Sequence, residues 1–314
     1  MSPSSTSRLR GGIYGLLVGD ALGVPYEFSR PEQLPAREDL EMNPPSAFPR
    51  AHARVPPGTW SDDGAQALCL LASLLDRDGL DLGDFSTKVC AWYDEGYMAV
   101  DGLVFDVGVQ TGHALRALRS GVEPRLAGPA AERDNGNGSL MRALPLALWH
   151  VGDDVELVRD AYDQSRITHG HARSRVCCAI YCLWARRTLE GDADPWAAAT
   201  ATLRAMVVPG SEEEEALEGH VRPDEPAEGR GSGYVIDTLR SARQVLAAHD
   251  TYEGVVKSAI SLGNDTDTTA CVAGGIAGVR YGEEGIPERW RSALRGRELV
   301  DPLVGRLAAR RRER

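Results

Sequence analysis

The stretch SLGNDTDTTACVAGGIAGVRYG, residues 261–282, decides the fold. From Ala270 to Gly278 its residues are small and apolar on nearly every side, which is typical of a helix buried in the middle of a domain. We therefore expect the acidic beginning of this helix, Asp265 and Asp267, to lie beneath the surface as well. Two carboxylates there need a partner, a proton or a cation, because burying an isolated charge is costly.

Helical periodicity recurs along the rest of the chain. Apolar stripes with helical spacing are formed by Leu68, Leu71, Ala72 and Leu75, by Val176, Ala179, Ile180 and Leu183, and by Val235, Leu239, Ala242 and Leu246. No convincing series of alternating strand patterns is found. We predict an all-α fold, one domain over residues 1–314 with its core at about residues 8–300. The short basic tail from Arg310 is expected to be a frayed, solvated helix end, and the acidic run at 212–215 a solvated face or loop.

Three glycines of the first helical segment, Gly11, Gly15 and Gly19, are spaced at i, i+4 and i+8. Glycine costs a helix about 1 kcal/mol relative to alanine, so a stripe of it needs a structural reason. The pattern predicts close packing of this helix against another backbone.

A second acidic helix beginning lies at Ser61, Asp62 and Asp63. Ser61 is a plausible N-cap, and acids in a first turn also complement the helix dipole, so this motif alone does not require a metal. If it converges with Asp265, Asp267 and Thr268, however, the two helix starts form a cage of hard oxygen donors. Such a cage suits Mg²⁺, Mn²⁺ or Ca²⁺, and four carboxylates are enough for two ions.

The composition excludes several classes of partner. The 314 residues carry a net charge of −11, whereas nucleic acids and anionic membranes attract basic surfaces. No apolar run reaches the ~18 residues of a membrane span and no signal peptide is evident, so we expect a cytoplasmic protein, acting as a monomer. The six cysteines form no C-x-x-C pair and are expected to be buried free thiols.

Several motifs together resemble the ADP-ribosylglycohydrolase family, and within it the bacterial dinitrogenase reductase-activating glycohydrolases. They run from GLLVGDALGVPYEF at 15–28, through GNDTDT at 263–268, to the I-P-x-x-W pattern at 286–290. At least six motifs occur in the family's order over some 280 residues. The resemblance implies an orthogonal multi-helix bundle with two Mg²⁺ or Mn²⁺ ions that hydrolyses the bond between ADP-ribose and a modified group.

The resemblance also implies roles for individual residues. The metal ligands are expected to be Ser61, Asp62, Asp63, Asp265, Asp267 and Thr268. Glu27 matches a glutamate beside the metals that controls substrate access, and Asp134 matches the catalytic acid or base. The expected substrate-binding residues are Asn137, Gly138, Ser139, His169, Gly231, Ser232, Gly233 and Tyr234. Two positions depart from the family pattern: Gly64 stands where threonine or serine is usual, and Val109 where a polar residue is common.

The implied substrate is an ADP-ribosylated protein or a small ADP-ribosyl compound, with ADP-ribose as product. The loop at 134–142 favours arginine as the modified residue. Serine-linked or nucleic-acid-linked ADP-ribose, and an inactive ADP-ribose-binding protein, remain alternatives. The acid clusters by themselves also suggest a two-metal phosphohydrolase, but the chain has no P-loop and only two lysines with which to hold phosphate.

Overall fold

The helices of the chain form an all-α bundle. The computed structural model describes residues 3–312, in which no β-strand occurs and a single bridge joins Gly136 to Tyr234. The α-helices are α1 Ser5–Gly23, α2 Asp62–Arg77, α3 Leu82–Glu95, α4 Val109–Arg119, α5 Pro124–Ala127, α6 Leu144–Trp149, α7 Asp154–Arg166, α8 Ala172–Glu190, α9 Pro195–Arg204, α10 Glu212–Glu214, α11 Val235–Ala248, α12 Tyr252–Ile260, α13 Thr266–Tyr281, α14 Glu288–Ala293 and α15 Arg297–Arg312. Short 3₁₀ turns cover Val24–Tyr26, Pro31–Gln33, Arg37–Asp39, Val100–Gly102 and Glu283–Gly285, and a π-helix covers Glu215–Val221.

The centre of the bundle is the pair α1–α13, which touch backbone to backbone. A methyl group built on Gly15 would lie 2.5 Å from the carbonyl oxygen of Gly274, and one on Gly274 would lie 2.5 Å from the carbonyl oxygen of Gly15. A methyl on Gly19 would overlap the carbonyl of Ala270. The predicted close packing of the glycine stripe is therefore confirmed, and its partner is the helix that carries Asp267.

Amphipathic helices surround this pair. The predicted apolar stripes lie on α2, α8 and α11, and their members are buried except Leu75, which packs partly exposed against the core. Helix α8 lies almost wholly inside the bundle, against α6, α7, α9 and α13. Five of the six cysteines are buried and all six are free, as expected. Among the helices of residues 3–312, none is long and apolar enough to cross a membrane.

One expectation about the surface is corrected by the structure. The basic end of α15 is packed rather than frayed at Arg310 and Arg311: the Arg310 guanidinium lies 4.0 Å from the Trp149 ring centroid, and Arg311 Nε donates to the Leu148 carbonyl. These indole and carbonyl partners account for the difference. Glu313 and Arg314 lie outside the described residues. The acidic run is a largely solvated helical face, one of the two expected forms, and Glu213 within it pairs with Arg175 at 2.5 Å.

Candidate metal centre and active site

The beginnings of α2 and α13 meet in the interior of the bundle. The Thr268 hydroxyl of α13 donates to Asp63 Oδ1 of α2 over 3.3 Å. Asp62, Asp63 and Asp267 are 4%, 1% and 0% exposed, so the paired acids are buried at both helix starts. The condition that the sequence left open, convergence of the two acidic motifs, is met.

The start of α2 is held by a carboxylate from α1. Asp20 is fully buried and accepts hydrogen bonds from the backbone N–H groups of Ser61, at 2.9 and 3.1 Å, and Gly64, at 2.8 Å. The Ser61 hydroxyl accepts from the Asp63 N–H at 3.2 Å, which confirms Ser61 as the N-cap. Asp20 thus positions Asp62 and Asp63 without facing the cavity itself. In the sequence, Asp20 could have been recognised as a single charged residue within an apolar helical segment.

The start of α13 is held by backbone contacts and one amide. The Asp265 N–H donates to the Gly231 carbonyl at 2.9 Å, and Asn137 Nδ2 donates to Asp265 Oδ2 at 2.8 Å. The Thr266 hydroxyl donates to the Gly23 carbonyl at the end of α1, at 2.8 Å. The Asn137 loop and the 231–234 loop are joined in turn, because the Asn137 N–H donates to the Gly233 carbonyl. These predicted substrate loops therefore border the acidic cluster.

Two carboxylate oxygens of the cluster have no hydrogen-bond partner. Asp63 Oδ2 and Asp267 Oδ2 are buried and unpaired. Burial, together with repulsion from neighbouring carboxylates, raises the pKa values of Asp62, Asp63 and Asp267 well above the usual range. Orphaned hard oxygen atoms among crowded acids fit a divalent cation better than they fit a hydrogen-bonded core. The ligand atoms of Glu27, Asp265 and Asp267 also lie within 4.8 Å of one another, a spacing suited to one ion.

Among residues 3–312, no arginine forms an ion pair with Asp62, Asp63, Asp265 or Asp267. The buried Arg142 guanidinium donates to Gln66 Oε1 at 2.7 Å and to Gln164 Oε1 at 3.1 Å, and Gln66 Nε2 in turn donates to Asp62 Oδ2 at 3.1 Å. Arg142 is therefore a brace that acts on Asp62 through Gln66. Burial lowers the pKa of Arg142 to about 10.

A cavity of about 260 Å³ opens above the cluster. Its lining residues are Glu27, Asp62, Asp63, Asp106, Gly108, Val109, Gln110, Thr111, Gly136, Asn137, Gly138, Met141, His169, Gly233, Asp265 and Thr268. Nine of the sixteen predicted site residues line it. His169 is buried against Gly138, where an added methyl would lie 2.8 Å from the imidazole Cε1. Burial lowers the pKa of His169 to about 3, so the ring is neutral.

The other predicted site residues lie elsewhere. Ser61 and Asp267 are in the floor beneath the cavity. Ser139 is completely buried, and its hydroxyl accepts from Ser165 Oγ at 2.9 Å. Ser232 donates to Asp237 at 2.8 Å. Gly231 contributes its carbonyl to Asp265, and the Tyr234 side chain is 38% exposed.

Asp134, expected to be the catalytic acid or base, is not among the residues that line the cavity. One of its carboxylate oxygens accepts from the Ala131 N–H at 3.1 Å, and its own N–H donates to the Ala131 carbonyl. This is the geometry of a turn residue that stabilises its own loop. In this structure Asp134 therefore stabilises the loop that precedes Asn137.

Asp106, which the sequence analysis did not single out, is a further acid of the cavity. It lines the cavity from the loop before α4, with a left-handed φ of 55° that aspartate tolerates better than most residues. Burial raises its pKa, with nearby His52 acting in the opposite direction. The stretch FDVG at 105–108 contained the signal, an acid in a glycine-containing loop just before a helix.

Two further residues were also missed, Gln110 in the cavity lining and His52 beside Glu27. His52 Nε2 lies 2.6 Å from Glu27 Oε2, and the potential ligand atoms of Glu27, His52 and Asp106 lie within 4.8 Å of one another. Gln110 Oε1 accepts from the Gly136 N–H at 2.6 Å, which leaves Gln110 Nε2 a buried donor with no partner. Neither residue belongs to a motif whose spacing points to the site, so only the folded chain brings them there.

Comparison with known proteins gives a consistent result. A sequence model of the ADP-ribosylglycohydrolase family matches residues 1–314. An ADP-ribosylarginine hydrolase Tri1 of Serratia proteamaculans is 28% identical over 308 residues, covering 96% of this chain and 79% of that protein. The ADP-ribosyl-[dinitrogen reductase] glycohydrolase of Rhodospirillum rubrum is 29% identical, covering 93% of this chain and 92% of that protein.

A solved structure agrees with these relatives. An ADP-ribosylglycohydrolase-related protein complex superimposes with a TM-score of 0.79 at 32% identity, and the match covers 98% of each chain. Family match and fold therefore extend over the whole chain, including both acidic helix starts and the loops above them. The chain belongs to the ADP-ribosylglycohydrolase family.

Proposed function

We propose that the protein is a divalent-metal-dependent hydrolase that removes mono-ADP-ribose from arginine side chains of modified proteins, acting as a cytoplasmic monomer. The observation that carries the proposal is the set of buried carboxylates at the floor of the cavity, with Asp63 Oδ2 and Asp267 Oδ2 unpaired. Two relatives support the linkage, one named an ADP-ribosylarginine hydrolase and the other an ADP-ribosyl-[dinitrogen reductase] glycohydrolase.

The reaction breaks the N-glycosidic bond between the ribose anomeric carbon and the guanidine of arginine. Positive charge develops on the ribose ring as this bond lengthens, a water oxygen joins the anomeric carbon, and the departing guanidine takes a proton. Two Mg²⁺ or Mn²⁺ ions, held by Ser61, Asp62, Asp63, Asp265, Asp267 and Thr268, would neutralise the carboxylates and polarise water and ribose hydroxyls. The remaining negative charge of the cavity favours the cationic ribose and the cationic acceptor alike.

We assign proton transfer to Asp106. Asp106 and Glu27 are the two acids of the cavity lining that are not among the proposed metal ligands, and Glu27 is given the access role. Burial raises the pKa of Asp106 above the usual aspartate range, as in many groups that exchange protons in an active site. Glu27 lies between the cluster and His52, which suits the access role expected for it. Burial and the neighbouring carboxylates raise the pKa of Glu27 to about 10. Cations bound in the cluster would favour the ionised form of Glu27, so the hydrogen bond between Glu27 and His52 depends on whether metal is bound.

The upper wall of the cavity suits the ADP-ribose moiety. Asn137 and Gly138 bring backbone close to the cavity, and Gln110 Nε2 offers a free donor for a phosphate or ribose oxygen. His169 is neutral and keeps the space above Gly138 narrow. We propose that this wall orients the ribose so that its anomeric carbon faces Asp106.

The first test uses metal-stripped protein with an arginine-mono-ADP-ribosylated protein, before and after addition of Mg²⁺ or Mn²⁺. We expect intact ADP-ribose to be released only with metal, and Asp267→Ala to abolish release. Parallel reactions with serine-linked and nucleic-acid-linked ADP-ribose test the linkage. Release of AMP in place of ADP-ribose would overturn the glycosidase assignment in favour of phosphohydrolysis. Metal-dependent ADP-ribose binding without release from any of the three substrates would indicate a binding protein.

A matched pair of variants tests the choice of acid. Asp106→Asn is expected to lower kcat about 10²–10⁴-fold, the usual contribution of a general acid or base, with little change in metal binding. Asp134→Asn keeps the turn and is expected to leave kcat within a few-fold of wild type. The reverse order of the two effects would restore Asp134 to the reaction.

A further inference from the structure

A second cavity lies at the far end of α13 from the acidic cluster. It has a volume of about 510 Å³ and is bordered by the C-terminal end of α8, the start of α9, and by α11 and α13. Asp267 and Arg280 mark the two ends of α13, and at 1.5 Å per residue they are separated by about 20 Å. This cavity is therefore distinct from the active site. We call it the arginine–tryptophan cavity, after Arg8, Arg243, Arg280, Trp184 and Trp196 in its lining.

Its three arginines carry positive charge without carboxylate partners. Arg8 donates to the Thr188 carbonyl at 2.8 Å, Arg243 to the Glu225 carbonyl at 2.8 Å and Arg280 to the Leu246 carbonyl at 3.3 Å. Among the described residues, no carboxylate oxygen lies within 4.0 Å of any of the three guanidinium groups. By contrast, Arg204 and Arg289 elsewhere on the surface are each held by two carboxylates. Three arginines without an ion pair therefore border one cavity of a chain whose net charge is −11.

Two acids also line the cavity, but both are engaged. Asp194 accepts from the Ala197 N–H at 3.0 Å as the N-cap of α9. Asp192 lies 3.8 Å from the Arg187 guanidinium. Neither is within ion-pair distance of Arg8, Arg243 or Arg280. The cavity therefore keeps unmatched positive charge, which favours an anionic ligand.

The cavity also offers flat and apolar surface. The rings of Trp184 and Trp196 meet edge to face, with centroids 5.1 Å apart, and the Arg243 guanidinium lies 4.7 Å from the Trp196 centroid. Buried Ile276 and Leu246 complete an apolar part of the lining. Planar guanidinium and indole groups bind aromatic rings by stacking, while the same guanidinium groups donate to phosphate oxygens. A volume of this size is in the range of small-molecule sites.

We infer that the arginine–tryptophan cavity binds a nucleoside phosphate, with the base against the indoles and the phosphate among Arg8, Arg243 and Arg280. Inorganic phosphate would contact only the arginine side chains of the site, and a nucleoside would contact only the indole rings. Both fragments should therefore bind more weakly than the intact nucleotide.

The test is isothermal titration of the full-length protein with AMP, with adenosine and inorganic phosphate as fragments. AMP is expected to bind saturably in the micromolar to millimolar range. Each of Arg243→Gln and Arg280→Gln should weaken this binding about tenfold, since a charge-assisted hydrogen bond contributes roughly that factor. Arg312→Gln, which removes one exposed charge at the end of α15, is the matched control and should change nothing. Thermal unfolding of each variant checks that it folds.

The active-site cavity could also hold AMP, so the same titration is made with Asp267→Ala. Binding that persists in Asp267→Ala and disappears in the Arg243→Gln/Arg280→Gln double variant locates the nucleotide in the arginine–tryptophan cavity. The inference is overturned by absence of saturable AMP binding at millimolar concentration, or by AMP binding that the double variant leaves intact. It is equally overturned if phosphate alone binds as tightly as AMP, because the indoles then contribute nothing. None of these outcomes depends on hydrolase activity.

Discussion

Helices α2 and α13 both begin with acids at the same cavity, yet different forces hold the two beginnings in place. The α2 start is fixed by side-chain chemistry: Asp20 accepts from Ser61 and Gly64, and Gln66 supports Asp62. The α13 start has hydrogen bonds of its own, but the helix behind it is placed by shape, because its small residues let α1 approach backbone to backbone. The comparison shows that one acidic cluster can combine a wall placed by hydrogen bonds to a buried carboxylate with a wall placed by backbone packing.

The strongest way to break the comparison is to add one methyl group to the packed wall. Gly19→Ala places a methyl against the Ala270 carbonyl and should lower the free energy of unfolding by about 3 kcal/mol or more, since neither backbone can yield. Gly305→Ala in exposed α15, where nothing lies within 4 Å, is the matched control and should stabilise by up to about 1 kcal/mol. Urea unfolding measures both. Equal stabilities would mean that α1 and α13 have room to separate.

Metal removal tests the buried carboxylates at the beginnings of α2 and α13, through the pH dependence of stability. The pKa of Asp20 is raised to about 7 by burial, and those of Asp62, Asp63 and Asp267 are raised as well. Above the ordinary aspartate pKa the folded metal-free chain therefore binds more protons than the unfolded chain, so its stability falls as pH rises toward and through 7.

Bound metal reverses this dependence, because cations take the place of protons. At a fixed free Mn²⁺ concentration equal to 100 times the Kd at pH 7, we expect about 2.7 kcal/mol of added stability at that pH, with less at pH 5 and more at pH 8 because binding tightens as protons leave. Thermal unfolding across that range, with and without EDTA, measures it. A metal-free protein that becomes more stable with rising pH would contradict the assigned pKa directions.

The hydrogen-bonded wall is broken by Asp20→Ala. The N–H groups of Ser61 and Gly64 lose their acceptor in a buried place, which should cost about 2 kcal/mol of stability and reduce metal affinity as Asp62 and Asp63 shift. Asp153→Ala removes an exposed N-cap of α7 and should cost about 1 kcal/mol without affecting metal binding. Calorimetric titration with Mn²⁺ separates the two. If both variants keep wild-type metal affinity, Asp20 has no positioning role.

The smallest expected effect concerns Gly64, in the first turn of α2, at a position where the family resemblance led us to expect threonine or serine. A Cβ atom there would lie 2.7 Å from Leu17 Cδ2 and 2.8 Å from Trp60 Cγ. The buried Trp60 indole occupies the space that a side chain at position 64 would need, so glycine is the residue that fits beside it. Gly64→Ser should cost about 1 kcal/mol, because side chains can shift where backbone cannot. A Gly64→Ser variant more stable than wild type would show that the missing hydroxyl matters more than the space.

The sequence was sufficient for the features that depend on local pattern. Helical spacing predicted α2, α8 and α11, and the stripe Gly11–Gly15–Gly19 predicted a close helix contact that the structure confirms. It was insufficient for residues whose place depends on chain crossings. Asp106 and His52 lie in loops and have left-handed backbone, and they come close to the acidic cluster only through the packing of those loops. The sequence likewise could not show that the Asp134 carboxylate accepts a hydrogen bond from the Ala131 N–H.

The α1–α13 contact has a consequence for how the protein is made. The hydrogen bond from Thr266 to Gly23 joins residues 243 positions apart. Helix α1, the first to be synthesised, therefore cannot make its native contacts until α13, one of the last, has been synthesised. Until α13 leaves the ribosome, the glycine face of α1 has no partner and half of the cage is missing. Contacts of such long range slow folding, and the nascent chain exposes apolar surface meanwhile. The acidic cluster is therefore complete only after translation is nearly finished, when the first helix and one of the last come together.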